Sequence, residues 1–172
     1  MNLGDDDFTL FGLPHKQAVD RAALDARWRE LQAQVHPDRH AHEGAAQQRL
    51  AMQRAMRVNQ AYQRLKGPMQ RGAYLCELRG VPIQAENNTA MPAAFLMQQM
   101  QWREALEEAD TLPAVEALEA EVLAFERGLQ GDLQADLDER ADTAAAARTV
   151  RALMFVARFR EDIARRQEAL DV

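Results

Sequence analysis

Apolar residues recur at helical spacing along most of the chain, and this periodicity restricts the fold more than any other feature. Two stripes in the first part are formed by Leu24, Trp28, Leu31 and Val35, and by Ala51, Ala55, Val58, Tyr62 and Leu65. Spacings of three and four residues place such side chains on one face of an α-helix. Only 8 Gly and 6 Pro interrupt the 172 residues, so the sequence predicts an all-α fold.

The two stripes predict an antiparallel pair of helices. An apolar segment at residues 8–13 precedes them and ends at Pro14. The first helix ends before Pro37, because a residue that precedes proline is disfavoured in the α region. A loop at residues 36–43 follows, and the second helix ends at Gly67 and Pro68, which are typical helix-stop residues. A further short helix is predicted at residues 70–78.

A segment rich in helix breakers, residues 79–92, divides the chain. It contains Gly80, Pro82, Asn87, Asn88 and Pro92. Beyond it the periodicity predicts three helices at about residues 93–109, 113–139 and 143–169, with Asp142 or Thr143 as the N-cap of the last. Gly128 and Gly131 weaken the middle helix by roughly 1 kcal/mol each, so it can bend or break there. Three such helices with short connections form a small bundle.

The charge differs between the two parts. Residues 1–80 carry a net charge of +3 and residues 81–172 a net charge of −9, which suggests separate roles. The single cysteine, Cys76, excludes an internal disulfide and is interpreted as an ordinary buried side chain. No apolar stretch approaches the ~20 residues of a membrane span, and the acidic start lacks the features of a secretory signal. We therefore expect a cytoplasmic protein.

The sequence His36-Pro37-Asp38 lies in the loop of the helical pair. Proline fixes φ, and the two flanking side chains present polar groups where no core requires them, which suits a contact surface. The alternatives are a metal cluster with His40 and His42, whose spacing fits no standard zinc motif, and an enzyme that uses this loop. For the enzyme, the sequence offers no second constellation of acid, base or nucleophile.

Basic residues are concentrated on the second helix of the pair and just after it. They are Arg49, Arg54, Arg57, Arg64, Lys66 and Arg71, and no acidic residue lies between Gly44 and Cys76. Such a face could bind nucleic acid, but the acidic second part and the lack of interleaved aromatic residues favour the solvated side of an amphipathic helix.

The His-Pro-Asp loop, followed by Arg39, resembles that of a J domain. The string Val-Asn-Gln-Ala-Tyr-Gln-Arg-Leu at residues 58–65, with Pro68, Gln70, Arg71 and Tyr74 after it, also resembles the third J-domain helix and its continuation. The resemblance implies a non-catalytic domain that engages a DnaK-type ATPase and accelerates its ATP hydrolysis. The residues implied in that contact are His36, Pro37, Asp38, Arg39, Arg27 and Arg29.

The whole chain is similar to the HscB family of J-domain co-chaperones. Similar strings occur at residues 7–14, 71–75, 95–97, 103–108 and 149–155. The resemblance implies a J domain at residues 1–78, a linker at 79–92 and a scaffold-binding bundle at 93–172. It implies an adaptor for iron-sulfur cluster biogenesis whose partners are an HscA-type ATPase and an IscU-type scaffold, with no cofactor, metal, nucleic acid or membrane. The alternative is a J-domain co-chaperone for a different client.

The first bundle helix carries the residues that the resemblance assigns to scaffold binding. These are Leu96, Met97, Met100, Gln101, Glu104 and Glu108, together with Phe155 on the last helix; Gln101 stands where the family often has a carboxylate. At ~100° per residue, Phe95, Trp102 and Leu106 form a core stripe, and the apolar and acidic residues among those assigned on this helix point to the other side. An exposed apolar patch of this kind marks an interaction site. Alternatively, the bundle buries both faces of the helix.

Overall fold

The computed structural model describes residues 1–84 and 91–171, and over these residues it is helical without a β-strand, which confirms the all-α prediction. The predicted linker residues Asn87 and Asn88 lie outside the described residues. The helices are α1 (Asp7–Phe11), α2 (Arg21–Val35), α3 (Ala45–Lys66), α4 (Pro68–Leu78), α5 (Ala93–Glu108), α6 (Leu112–Asp138) and α7 (Thr143–Leu170). The chain divides into two compact units, Met1–Leu75 and Cys76–Val172.

The first unit is built on α2 and α3, which run antiparallel as predicted. Arg21 at the start of α2 donates hydrogen bonds to the Tyr62 hydroxyl and the Lys66 carbonyl at the end of α3. Gln32, near the end of α2, bonds to Asn59, farther back along α3. The buried residues on the facing sides are Leu24, Leu31, Val35, Ala51, Val58, Ala61, Tyr62 and Leu65.

The apolar segment before this hairpin forms the short helix α1. The Asp6 side chain caps it by accepting from the Thr9 backbone N–H at 3.0 Å, and Gly12 ends it with a φ of 65°. Phe8 and Phe11 are buried. They anchor α1 in the core of the hairpin, so the N-terminal residues form part of the unit.

A buried carboxylate that the sequence did not reveal joins α1 to α3. Asp7 is completely buried, and its two oxygens lie 2.7 Å from Nη1 of Arg57 and 2.7 Å from Nε of Arg64. Its backbone N–H donates to the Tyr74 hydroxyl at 2.9 Å. Arg71 is also buried and donates to backbone carbonyls. The interpretation of these basic residues as solvated is therefore wrong for Arg57 and Arg71.

The second unit is a bundle of α5, α6 and α7, and the helix bounds agree with the predicted ones within about a residue. α6 and α7 are antiparallel, since Glu119 bonds to Gln167 and Glu126 pairs with Arg160. The core residues are Phe95, Trp102, Ala109, Val115, Leu118, Val122, Ala152, Val156, Phe159 and Ile163. Asp142 caps α7. Gly128 does not break α6, which is one continuous helix, because its packing on α7 outweighs the low helix propensity of glycine.

The described part of the predicted linker is attached to the bundle. Arg79 donates to the Leu137 carbonyl at 2.8 Å, and Arg151 donates to the Ile83 carbonyl at 3.1 Å. Cys76 is buried as expected, and burial raises the pKa of its thiol to about 11. A buried thiol whose pKa is raised is typical of a structural cysteine, as the sequence predicted.

Candidate functional site

The His-Pro-Asp loop has a defined conformation and exposed polar side chains. α2 ends at Val35, and Pro37 opens a short 3₁₀ turn, where its fixed φ suits the first helical position. His36 Nδ1 accepts from the Asp38 backbone N–H at 3.2 Å. The Asp38 side chain is 92% exposed and the His36 side chain 57%. The loop therefore presents a carboxylate and an imidazole to solvent from a backbone that is held in place.

The nearby arginines differ in how freely they can meet a partner. Arg39 donates to the Ala33 carbonyl at 3.1 Å, which ties the loop to the last turn of α2. Arg27 pairs with Glu30 on the same helix at 3.1 Å. Arg29 is exposed on α2. Of the three predicted contact arginines, Arg39 therefore also has a structural role, and Arg27 would have to leave a surface ion pair.

Trp28 joins α2 to α3, the two helices that carry the loop, although its place in the apolar stripe suggested only a core residue. It is half-buried and stacks on Tyr62 with ring centres 4.6 Å apart. Its Nε1 donates to Asn59 Oδ1 at 3.1 Å, and Gln32 Nε2 donates to the same oxygen at 2.6 Å. These bonds link α2 to α3 just before the loop and fix the register of the hairpin.

The outer face of α5 carries the predicted apolar patch. Leu96 is 45% exposed, Met97 61% and Met100 71%, whereas Phe95 and Trp102 are buried in the bundle core. The predicted orientation of α5 is therefore confirmed, and the alternative in which both of its faces are buried is wrong. We call Leu96, Met97 and Met100 the α5 patch.

The polar residues predicted to flank this patch are at the surface, and Phe155 is only partly so. Gln101, Glu104 and Glu108 are exposed on α5. Phe155 on α7 is half-buried: its ring meets Phe95 edge-on at 5.7 Å between ring centres and stacks beside another core ring. Phe155 therefore reaches the surface with part of its ring, and the rest of the ring packs in the core.

Arg103 lies beside the patch and was not predicted as a site residue. Its Cζ atom lies 5.7 Å from the centre of the Phe155 ring, within the range of a cation–π interaction. The spacing of seven residues between Leu96 and Arg103, which places both on the same side of α5, is the sequence signal that could have indicated it.

Residues 1–84 and 91–171 also bear on two further classes of site. There, no group of three or more His, Cys, Asp or Glu side chains is arranged to hold a metal ion. None of the helices in the described chain is both long enough and apolar enough to cross a membrane.

The fold and the two sites together define a class of protein. An exposed His-Pro-Asp loop joins two antiparallel helices, and a separate three-helix bundle follows. This is the arrangement of a J-domain co-chaperone with a C-terminal helical domain.

Comparisons with known proteins identify the family within that class. A family model described as "HSCB C-terminal oligomerisation domain" matches residues 91–164. The co-chaperone HscB homologue of Bordetella petrii is 50% identical, with 93% of this chain and 95% of the relative covered. That of Cupriavidus taiwanensis is 51% identical, with 98% and 96% covered. The chain belongs to the HscB co-chaperone family.

Solved structures agree with this assignment. HscB from Vibrio cholerae superposes with a TM-score of 0.83 at 34% identity, with 96% of this chain and 99% of the other covered. Human HscB gives a TM-score of 0.90 at 27% identity, with 95% of this chain and 83% of the human chain covered. The fold is thus shared along nearly the full length.

Proposed function

We propose that this chain is an adaptor in iron-sulfur cluster biogenesis: it brings an IscU-type scaffold protein to an HscA-type, DnaK-like ATPase and stimulates hydrolysis of ATP by that ATPase. The J domain, expected at residues 1–78, contacts the ATPase, and the bundle at residues 93–172 contacts the scaffold. A cytoplasmic location remains a prediction from the sequence.

The observation that carries the proposal is the exposure of two unlike surfaces in one HscB-family chain. Asp38 and His36 are exposed on a fixed loop, and Leu96, Met97 and Met100 are exposed on a helix whose other side is core. Neither surface is needed to bury apolar area within its own unit. Each is therefore available to a different protein, as an adaptor requires.

The chemistry of the two surfaces supports the assignment of partners. The loop offers a carboxylate and an imidazole, with Arg29 nearby on α2, so its contact is polar and directional. The α5 patch offers flexible methionine side chains and a leucine, which suit an apolar protein surface. Glu104 and Glu108 beside the patch add a negative rim that selects against acidic surfaces.

A reconstituted assay with three purified proteins tests the proposal. The chain alone should not hydrolyse ATP, and its addition to an HscA-type ATPase should raise the hydrolysis rate. Isothermal titration calorimetry should show direct binding of an IscU-type scaffold to the chain.

Each departure from these results has a definite meaning. Stimulation without scaffold binding would indicate a J-domain co-chaperone for a different client. Scaffold binding without stimulation would contradict the adaptor role. Turnover of ATP by the chain alone would contradict a purely non-catalytic protein.

A further inference from the structure

Arg103 is the single basic residue of α5, and it is exposed. Glu107 follows it by four residues, the spacing at which a helical ion pair can form. Nevertheless, none of the ion pairs formed among the described residues includes Arg103. Its guanidinium lies over the Phe155 ring instead.

The location of this guanidinium connects a core ring with the exposed patch. Phe155 packs against Phe95, so one side of its ring is fixed by the bundle while Arg103 covers another. Met100 lies one turn before Arg103 and Leu96 two turns before it, on the same side of the helix. The N–H donors of the guanidinium therefore emerge next to the apolar side chains of the patch.

An arginine in contact with a ring keeps most of its five N–H donors free, in a planar geometry that matches a carboxylate. The other charged residues of α5 are Glu104, Glu107 and Glu108. All three are negative and exposed. A carboxylate of a partner would be repelled along most of this helix and attracted at Arg103.

We propose that Arg103 is a further binding residue of the α5 patch, which positions the Phe155 ring and donates hydrogen bonds to a carboxylate of the partner. This inference rests on the proposed scaffold-binding function and specifies its chemistry. The partner presents an apolar surface with an acidic side chain at its edge. On α5, Arg103 is the one positive charge beside three exposed glutamates, and this asymmetry favours one orientation of the docking surface.

Three variants of the full chain test the inference by calorimetric titration with an IscU-type scaffold at low and high salt. Arg103→Gln removes the charge, and we expect about tenfold weaker binding at low salt, the effect of losing a hydrogen bond to a charged group. Arg103→Lys keeps the charge without the planar donors and should recover part of the loss. Arg127→Gln, an equal change of charge at an exposed site on α6, should bind as the wild type does.

The salt dependence separates direct contact from simple packing. A contact between Arg103 and a carboxylate weakens as salt is added, so the difference between Arg103→Gln and the wild type should shrink at high salt. In combination with Phe155→Leu, the effect of Arg103→Gln should be smaller than in the wild-type background, because Phe155 and Arg103 act as a pair.

The outcomes distinguish this inference from the proposed function. If Arg103→Gln binds normally while Leu96→Ala weakens binding, the inference is wrong and scaffold binding stands. A loss that is equal at both salt concentrations and is not recovered by Arg103→Lys also overturns it. If the wild-type chain does not bind the scaffold at all, the inference and the proposed function are both wrong.

Discussion

The two units present their candidate sites in opposite ways. In Met1–Leu75 the site is polar and lies on a loop, where His36 and Asp38 take no part in the core. In Cys76–Val172 the patch is apolar and lies on a helix, where the exposed Leu96 is the direct neighbour of the buried Phe95. Function and stability are thus separable in the loop, whereas in the bundle they share one helix and, at Phe155, one side chain.

The units also differ in how their interiors are held together. The first contains the buried Asp7 between two arginines, and the bundle contains a cluster of aromatic rings. These rings are Phe95, Trp102, Phe125, Phe155 and Phe159. An ionic interior depends on every partner being present, whereas a cluster of rings tolerates loss at its edge better. Changes at single positions should therefore affect the two units differently.

The largest expected effect is a functional one in the first unit. His36→Gln or Asp38→Asn should abolish stimulation of the partner ATPase, because these two exposed side chains are the polar groups that the fixed turn at Pro37 presents. Helical circular dichroism and the midpoint of unfolding should not change. Normal stimulation by either variant would show that the loop is not the contact site. The loop could then not serve as an example of function that is separable from stability.

In the bundle, the strongest effect should come from the α5 patch. Leu96→Ala combined with Met97→Ala should weaken scaffold binding by about a hundredfold, as expected for central apolar anchors, with little change in stability since both side chains are exposed. Adding Phe155→Ala should weaken binding further and also lower the free energy of unfolding by about 2 kcal/mol. Calorimetry and urea denaturation measure the two effects separately.

The Phe155→Ala variant can contradict the view that function and stability share one side chain in the bundle. If Phe155→Ala alone leaves stability unchanged, the ring belongs to the surface only and the bundle separates its two roles as fully as the loop does. Gln134→Ala, at an exposed position on α6, is the control for alanine substitution in this unit.

A change at Asp7 should lower the stability of the first unit, although Asp7 belongs to neither candidate site. Asp7→Asn leaves Arg57 and Arg64 without their carboxylate, and breaking a buried ion pair costs about 3 kcal/mol. The tryptophan of the first unit, Trp28, reports its unfolding by fluorescence when Trp102 is replaced by phenylalanine. Asp5→Asn is the neighbouring control. A loss below 0.5 kcal/mol, on the scale of surface substitutions, would show that the network is not a main support of this unit.

Helical periodicity was sufficient to predict most of the fold. The stripes on α2, α3 and α5 predicted helices whose buried positions the structure confirms, such as Leu24, Val58 and Trp102. Periodicity assigns a residue to a face of its own helix and says nothing about polar partners far away in sequence. For this reason the pairing of Asp7 with Arg57 and Arg64 was missed, although the two arginines stand seven residues apart on one face.

The candidate sites were predictable to different degrees. The exposure of His36 and Asp38 follows from a loop after a helix stop, and that of Leu96 and Met100 follows from the angle between their side chains and the core stripe. The double role of Phe155 was not predictable, since its position ~80° around the last helix from the stripe of Val156, Phe159 and Ile163 fits both a surface and a boundary side chain. Its packing against Phe95 on α5 and Phe159 on α7 places the ring at the boundary of the core.

Changes of glycine to alanine should have the smallest effects on stability, and their sign should differ between the two units. Gly12 in the first unit has a φ of 65°, where an L-residue is strained, so Gly12→Ala should lower stability by about 1 kcal/mol. Gly128 and Gly131 are exposed inside α6, and a Cβ added at either meets no atom within 4 Å. Gly128→Ala and Gly131→Ala should therefore each raise the stability of the bundle by about 0.5–1 kcal/mol. Trp102 fluorescence during urea denaturation measures the gain, and scaffold binding should be unchanged. A loss of stability in either α6 variant would mean that α6 needs the backbone conformational freedom of glycine at that position. Packing on α7 alone would then not explain why α6 is one unbroken helix.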